Sequence, residues 1–165
     1  MNQKLSDWAS IAEIFGGIAI VISLVFVGIQ IKGNTGATQA ATFQQHMGYE
    51  IEFLQRTSEN PELGAAFWRF NGAKTSEELE AVSAELGPER LGQAQGMFLS
   101  QIRIFEDVFL QHRAGSFSED GWNAREPLVR SIALHPIFHD MDRVSVTVSG
   151  PFAEYIIRIR AEEGL

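Results

Sequence analysis

Residues 11–31 read IAEIFGGIAIVISLVFVGIQI. From Ile14 to Ile31 no side chain is charged, and only Ser23 and Gln30 can hydrogen-bond. Wound as a helix, a stretch of that length rises about 30 Å, the thickness of the hydrocarbon core of a bilayer. Trp8 stands where an interfacial aromatic would, Ser6 or Asp7 is placed to cap the N-terminus, and Gly33 with Asn34 suits a C-terminal stop or bend. Residues 1–33 are therefore predicted to form one transmembrane anchor helix, and residues 34–165 a soluble helical domain.

Three rivals compete for the same stretch. A cleaved signal peptide has a shorter apolar run and a small-x-small site soon after it. Here the run is long, it contains Glu13, and Ala37–Ala41 is a poor site. A core helix of a soluble protein is seldom this long and this apolar. A helix lying in the membrane plane needs a strongly charged face, which this one lacks.

Outward from the anchor, charge is uneven. Lys4, Lys32, Asp7 and Glu13 cancel, so the net charge of −8 sits on residues 33–165. A domain this acidic repels phosphate backbones, which argues against a nucleic-acid partner, and it is repelled by anionic headgroups. The chain has no cysteine, which excludes disulfides, thiolate metal sites and a cysteine nucleophile. Lys4 and the α-amino group flank one end of the span and Lys32 the other, with Arg56 farther on. The domain is expected on the cytoplasmic side.

Steps of three and four residues place Glu13, Gly16, Ile20, Ser23, Val27, Gln30 and Asn34 on one helix face, a heptad-like seam. Phe15, Ile18, Ile22, Val25, Phe26 and Ile29 occupy the others. A lone anchor meets hydrocarbon on every side and has no reason to segregate polar groups. In lipid, small residues let helices approach and polar side chains bond across the contact. The seam thus predicts anchors that pack together or against a membrane partner's helices. A water-filled version would place Glu13 and Gln30 as rings near the two mouths of a cation path, with Ile20 and Val27 as a hydrophobic gate. The bland alternative has Glu13 reaching the interface and Ser23 bonding its own helix backbone.

The remainder reads as all-α. Phe43, Met47, Ile51 and Leu54 recur at helical spacing, and the seam's spacing continues through Ala37, Ala41, Gln44, Gly48 and Ile51. Asn60-Pro61 marks a helix start, with Leu63, Ala66, Phe67 and Phe70 as its apolar face. Ser76-Glu-Glu-Leu opens a short helix ending at Gly87. Pro88 opens a long one to about Ala114, with Gly115 as its stop. Ser118 starts the next, with Trp122, Leu128, Val129 and Ile132 facing in, and Ser149–Pro151 starts the last, burying Phe152, Tyr155, Ile156 and Ile159. Residues 144–148 alternate like a strand but have no partner.

Candidate chemistry is sparse. Arg103, Glu106 and Asp107 can meet on one helix face, with Gln111 and His112 a turn later, as an acid–base group or as an ion-pair network that fixes packing. His135 and His139 are four apart beside Asp140 and Asp142, but Pro136 interrupts them and no third ligand is signalled. His46, among polar neighbours, is expected to be exposed. No phosphate loop, GxGxxG or GxSxG occurs, and no cofactor or metal is signalled.

Several short pieces carry a resemblance: Glu13-Ile14 through Gly28-Ile29-Gln30-Ile31, Asn34-Thr35, Asn60-Pro61-Glu62-Leu63, Phe105-Glu106, Gln111-His112-Arg113-Ala114-Gly115, and Trp122. In outline the chain resembles a large, uncharacterised family of small bacterial proteins with an N-terminal span and a helical domain. Gly33 and Gly36 stand where that family carries arginines. The resemblance implies a bacterial inner-membrane protein and supplies no catalytic residues. The expectation is a single-pass, homo-oligomeric scaffold or accessory subunit and not an enzyme. The alternatives are a cation channel along the Glu13–Gln30 seam, or a membrane-anchored enzyme with its site near Glu106 and His112.

Overall fold

The computed structural model describes residues 2–139 and 148–165, with side chains at Trp8 and from Glu13 onward within those ranges. Among the described residues there are five α-helices: α1 Asn2–Glu59, α2 Pro61–Asn71, α3 Ser76–Arg113, α4 Glu119–Ala133 and α5 Gly150–Glu162, with a 3₁₀ turn at Pro136–His139. No strand occurs among the described residues, so the class is all-α as expected. Residues 144–147 of the strand-like stretch lie outside the described residues. The chain divides into two compact units, Met1–Thr38 and Gln39–Leu165.

In the first unit the helix starts earlier and stops later than the caps suggest. Ser6 and Asp7 lie inside α1 rather than at its cap, and Gly33 and Asn34 are helical. Glycine disfavours helix but does not forbid it, and neither residue is followed by a proline that would enforce a stop. The helix is long and apolar enough to cross a membrane. None of its apolar window is buried, which separates it from a core helix of this fold.

In the second unit local signals place most boundaries. The Asn60 side chain accepts the Leu63 N–H at 3.1 Å with Pro61 opening α2, and Ser118 accepts the Gly121 N–H at 3.1 Å to cap α4. Thr75, one residue before the expected start, caps α3 through the Glu78 N–H at 3.1 Å. Within α3 the helix breaks where expected: Gly87, at φ 70° and ψ 170°, takes a conformation open essentially to glycine alone, and Pro88 opens the second helical segment. Gly115, at φ 75°, ends α3 as the Ser116 N–H returns to the Gln111 carbonyl at 3.0 Å.

Phe67, Phe70, Phe98, Ile102, Val108, Phe117, Val129, Phe152, Ile156 and Ile159 form the fully buried centre. Each contributes about 1.5–3 kcal/mol by leaving water. The apolar faces expected for α2 and α5 are the buried ones, and α3 buries Phe98, Ile102, Phe105, Val108 and Phe109. Two expectations fail. Leu128 is exposed, while Arg125 on the same helix is buried. Within residues 39–59 of α1, Ile51 and Leu54 are exposed, while His46, Phe53 and Thr57 are buried. The later half of that segment's apolar stripe, Ile51 and Leu54, faces away from the core, while Phe43 packs beside Phe117.

Candidate functional site

The seam side chains are the first candidates. Glu13, Gly16, Ile20, Ser23, Val27, Gln30 and Asn34 are all exposed, as are Phe15, Ile18 and Ile22 on the other faces. Nothing lies within 4 Å of a Cβ built at Gly16, Gly17 or Gly28, so each is free for close approach by another helix. The Ser23 hydroxyl donates to the Ala19 carbonyl at 2.9 Å, which satisfies its hydrogen in its own helix and leaves its lone pairs.

The ionisable group on α3 splits three ways. Glu106, buried, accepts from Arg103 at 2.6 Å and from the Ser149 N–H at the start of α5. Burial pushes its carboxyl up, but the hydrogen bonds from Ser149 and Arg103 outweigh that and hold it below the usual carboxylate range. Asp107 turns instead to His46, with Oδ2 at 3.2 Å from Nε2. Gln111 accepts a hydrogen bond from the Ser116 hydroxyl in the loop after α3. His112 stacks on Trp122 at 5.1 Å and lies 3.7 Å from Glu119. Glu106 and His112 thus serve different contacts, and no shared acid–base geometry joins them.

His46 corrects its expected exposure: it is 1% exposed, packed edge-on against Tyr49 and Phe117. Beside it Arg125 is clamped by Glu50 through two hydrogen bonds of 2.7 and 3.2 Å, and sits 5.0 and 5.6 Å from the rings of Phe43 and Phe117. Burial lowers the His46 pKa; Asp107 and Glu50 pull it up, Arg125 pushes it down, and the net direction is down. Sequence reasoning missed this group because Glu50 and Arg125 are 75 residues apart. The one local hint was His46 and Glu50 four apart on a helix.

His135 is a packing residue. Its Nδ1 accepts the Ile137 N–H at 3.2 Å, so its Nε2 carries the proton and donates to the Phe70 carbonyl at 3.0 Å. Both nitrogens are occupied, and the ring packs between Phe70 and Phe98. Arg160, also buried, donates to the carbonyls of Ala133 and His135 at 3.1 and 3.3 Å. Asp140 and Asp142 lie outside the described residues. Among the described residues no three histidine, aspartate or glutamate side chains converge as a metal site. The chain matches no family model, no curated protein and no solved structure.

Proposed function

We propose that the chain is a single-pass membrane protein that self-associates through the seam Glu13, Gly16, Ile20, Ser23, Val27, Gln30 and Asn34. It serves as a scaffold or accessory subunit in a bacterial inner membrane, with its domain on the cytoplasmic side. The observation that carries this is a wholly unburied apolar helix whose polar side chains share one face with Gly16. Hydrocarbon rewards such segregation only where that face meets another helix. The domain supports the same reading. Gln44, Gly48 and Ile51, which continue the seam's spacing, are exposed, and Leu54, Trp68 and Leu128 are half-exposed around a shallow apolar groove of about 150 Å³. The resemblance to the bacterial single-span family points to the same compartment.

The absence of cysteine makes the test clean. Single cysteines at Gly16, Ile20, Ser23 or Val27, and as controls at Ile18, Ile22 or Val25, are oxidised in native membranes. Seam positions are expected to give disulfide-linked dimers and control positions none. Equal cross-linking at both sets, or none at either, overturns the seam. A chain that alkaline carbonate strips from the membrane overturns the anchor itself. The channel reading is separated by Glu13→Gln, which changes cation conductance if Glu13 forms a ring at a pore mouth and leaves dimerisation in place if the seam is dry.

A further inference from the structure

The second unit carries eight arginines besides Arg160 among its described residues. Six of them, Arg56, Arg69, Arg90, Arg103, Arg125 and Arg130, pair with carboxylates. Among the described residues the two without an ion pair are Arg113, at the end of α3, and Arg158, on α5. Both line one cleft of about 540 Å³ between α3, α4 and α5. In a domain with a large excess of acids, two guanidiniums left without a carboxylate in the same concavity are unexpected, because acidic side chains are the abundant partner.

The cleft is built on aromatic rings. Phe109, Trp122 and Tyr155 are buried with centroids 4.8–5.9 Å apart, and they hold the guanidiniums by their faces: Arg113 lies 5.7 Å from the Phe109 centroid and Arg158 lies 5.2 Å from that of Tyr155. A guanidinium stacked on a ring keeps its five N–H donors at its edge, available to an oxyanion. The Tyr155 hydroxyl is committed to Glu126 at 3.1 Å, and burial, then Glu126, raises its pKa, so it stays neutral. Among the described residues one carboxylate lines the cleft, that of exposed Glu154, and it pairs with neither arginine.

We propose that this cleft is a binding site for a small organic anion, a carboxylate or phosphate on an apolar body, held by Arg113 and Arg158 against the Phe109–Trp122–Tyr155 floor. The volume falls in the range of small-ligand sites, and two arginines suit the planar, two-oxygen edge of such a group. Glu154 limits affinity and disfavours more highly charged anions. The oxyanion arrives either as a free metabolite or as the headgroup of an anionic lipid. The proposal does not depend on the seam.

The test is calorimetric titration of the full chain, in a non-ionic detergent, with phenyl phosphate and with benzoate, and with benzyl alcohol as the neutral control. Saturable binding of at least one anion and none of the alcohol is expected. Arg113→Gln and Arg158→Gln should each weaken it about ten-fold. Glu154→Gln should strengthen it, which non-specific partition into detergent would not do. All three side chains are exposed, so circular dichroism should show unchanged helix content. No saturable binding of either anion, affinity unchanged in the double arginine variant, or affinity not increased by Glu154→Gln overturns the proposal. Repeating the titration in nanodiscs of phosphatidylcholine with and without phosphatidylglycerol separates the sources. Competition by phosphatidylglycerol assigns the site to a headgroup, and unchanged binding assigns it to a soluble anion.

Discussion

His46 and His135 are both buried imidazoles that burial keeps below the ordinary imidazole value of 6.5. His46 faces Asp107 and Glu50, which raise its pKa, and Arg125, which lowers it; His135 is raised by its Phe70 contact and lowered by Arg160. In each case the unfolded chain binds the proton first, so stability is intact above about pH 6.5 and is lost as pH falls towards the folded values. Each histidine can steepen the loss by up to about 1.4 kcal/mol per pH unit. Glu106, whose pKa lies below its ordinary 4.5, contributes stability that persists through that range and disappears only as pH falls further. Urea midpoints of the domain signal should fall between about pH 7.5 and about pH 5.5. His46→Gln should flatten that slope even if it lowers the midpoint throughout. A midpoint independent of pH over this range would contradict the buried neutral assignments.

At the scale of elements, α2 is pressed against the end of α1 at Gly64. A Cβ there would lie 2.4 Å from the Thr57 carbonyl oxygen, a backbone atom that a side-chain rotation cannot move aside. Gly64→Ala must shift α2, and with it Phe67 and Phe70, both fully buried. The change is expected to cost about 2–3 kcal/mol, an overpacking penalty, and to lower the urea midpoint without changing helix content. An alanine variant as stable as the parent would show that this contact is looser than its geometry. The same close turn brings Phe53 of α1 edge-on to Phe67, centroids 5.1 Å apart. The seating of α1's residues 39–59 therefore depends on a glycine that carries no side chain of its own.

Across the whole molecule, the hydrophobic core draws on Phe53 through Ile159, and no described residue of the first unit belongs to it. The described residues before Gln39 are all outside that core, so removing them is expected to leave its buried apolar packing in place. A chain starting at Gln39 should remain helical and unfold at nearly the parent's urea midpoint, within about 0.5 kcal/mol. It should also no longer sediment with membranes. Loss of the cooperative transition in this truncation would show that the first unit supports the second.

The sequence by itself determined what neighbours along the chain can settle. The long apolar helix follows from an uncharged run of sufficient length, since a helix closes its own hydrogen bonds wherever it is placed. The caps at Asn60 and Ser118 and the stop at Gly115 follow because their bonds reach only three to five residues away. The seam is legible as spacing, though spacing alone does not say what meets it. Tertiary structure decided which face of each helix is covered. In residues 39–59 it covered the face of His46, and it left Ile51 and Leu54 outside, against the hydrophobic pattern. It also decided which charges meet, Asp107 with His46 and Arg125 with Glu50, and that Arg113 and Arg158 line one cleft. Burial and ion pairing at such distances are properties of packed elements, and no local period in the sequence encodes them.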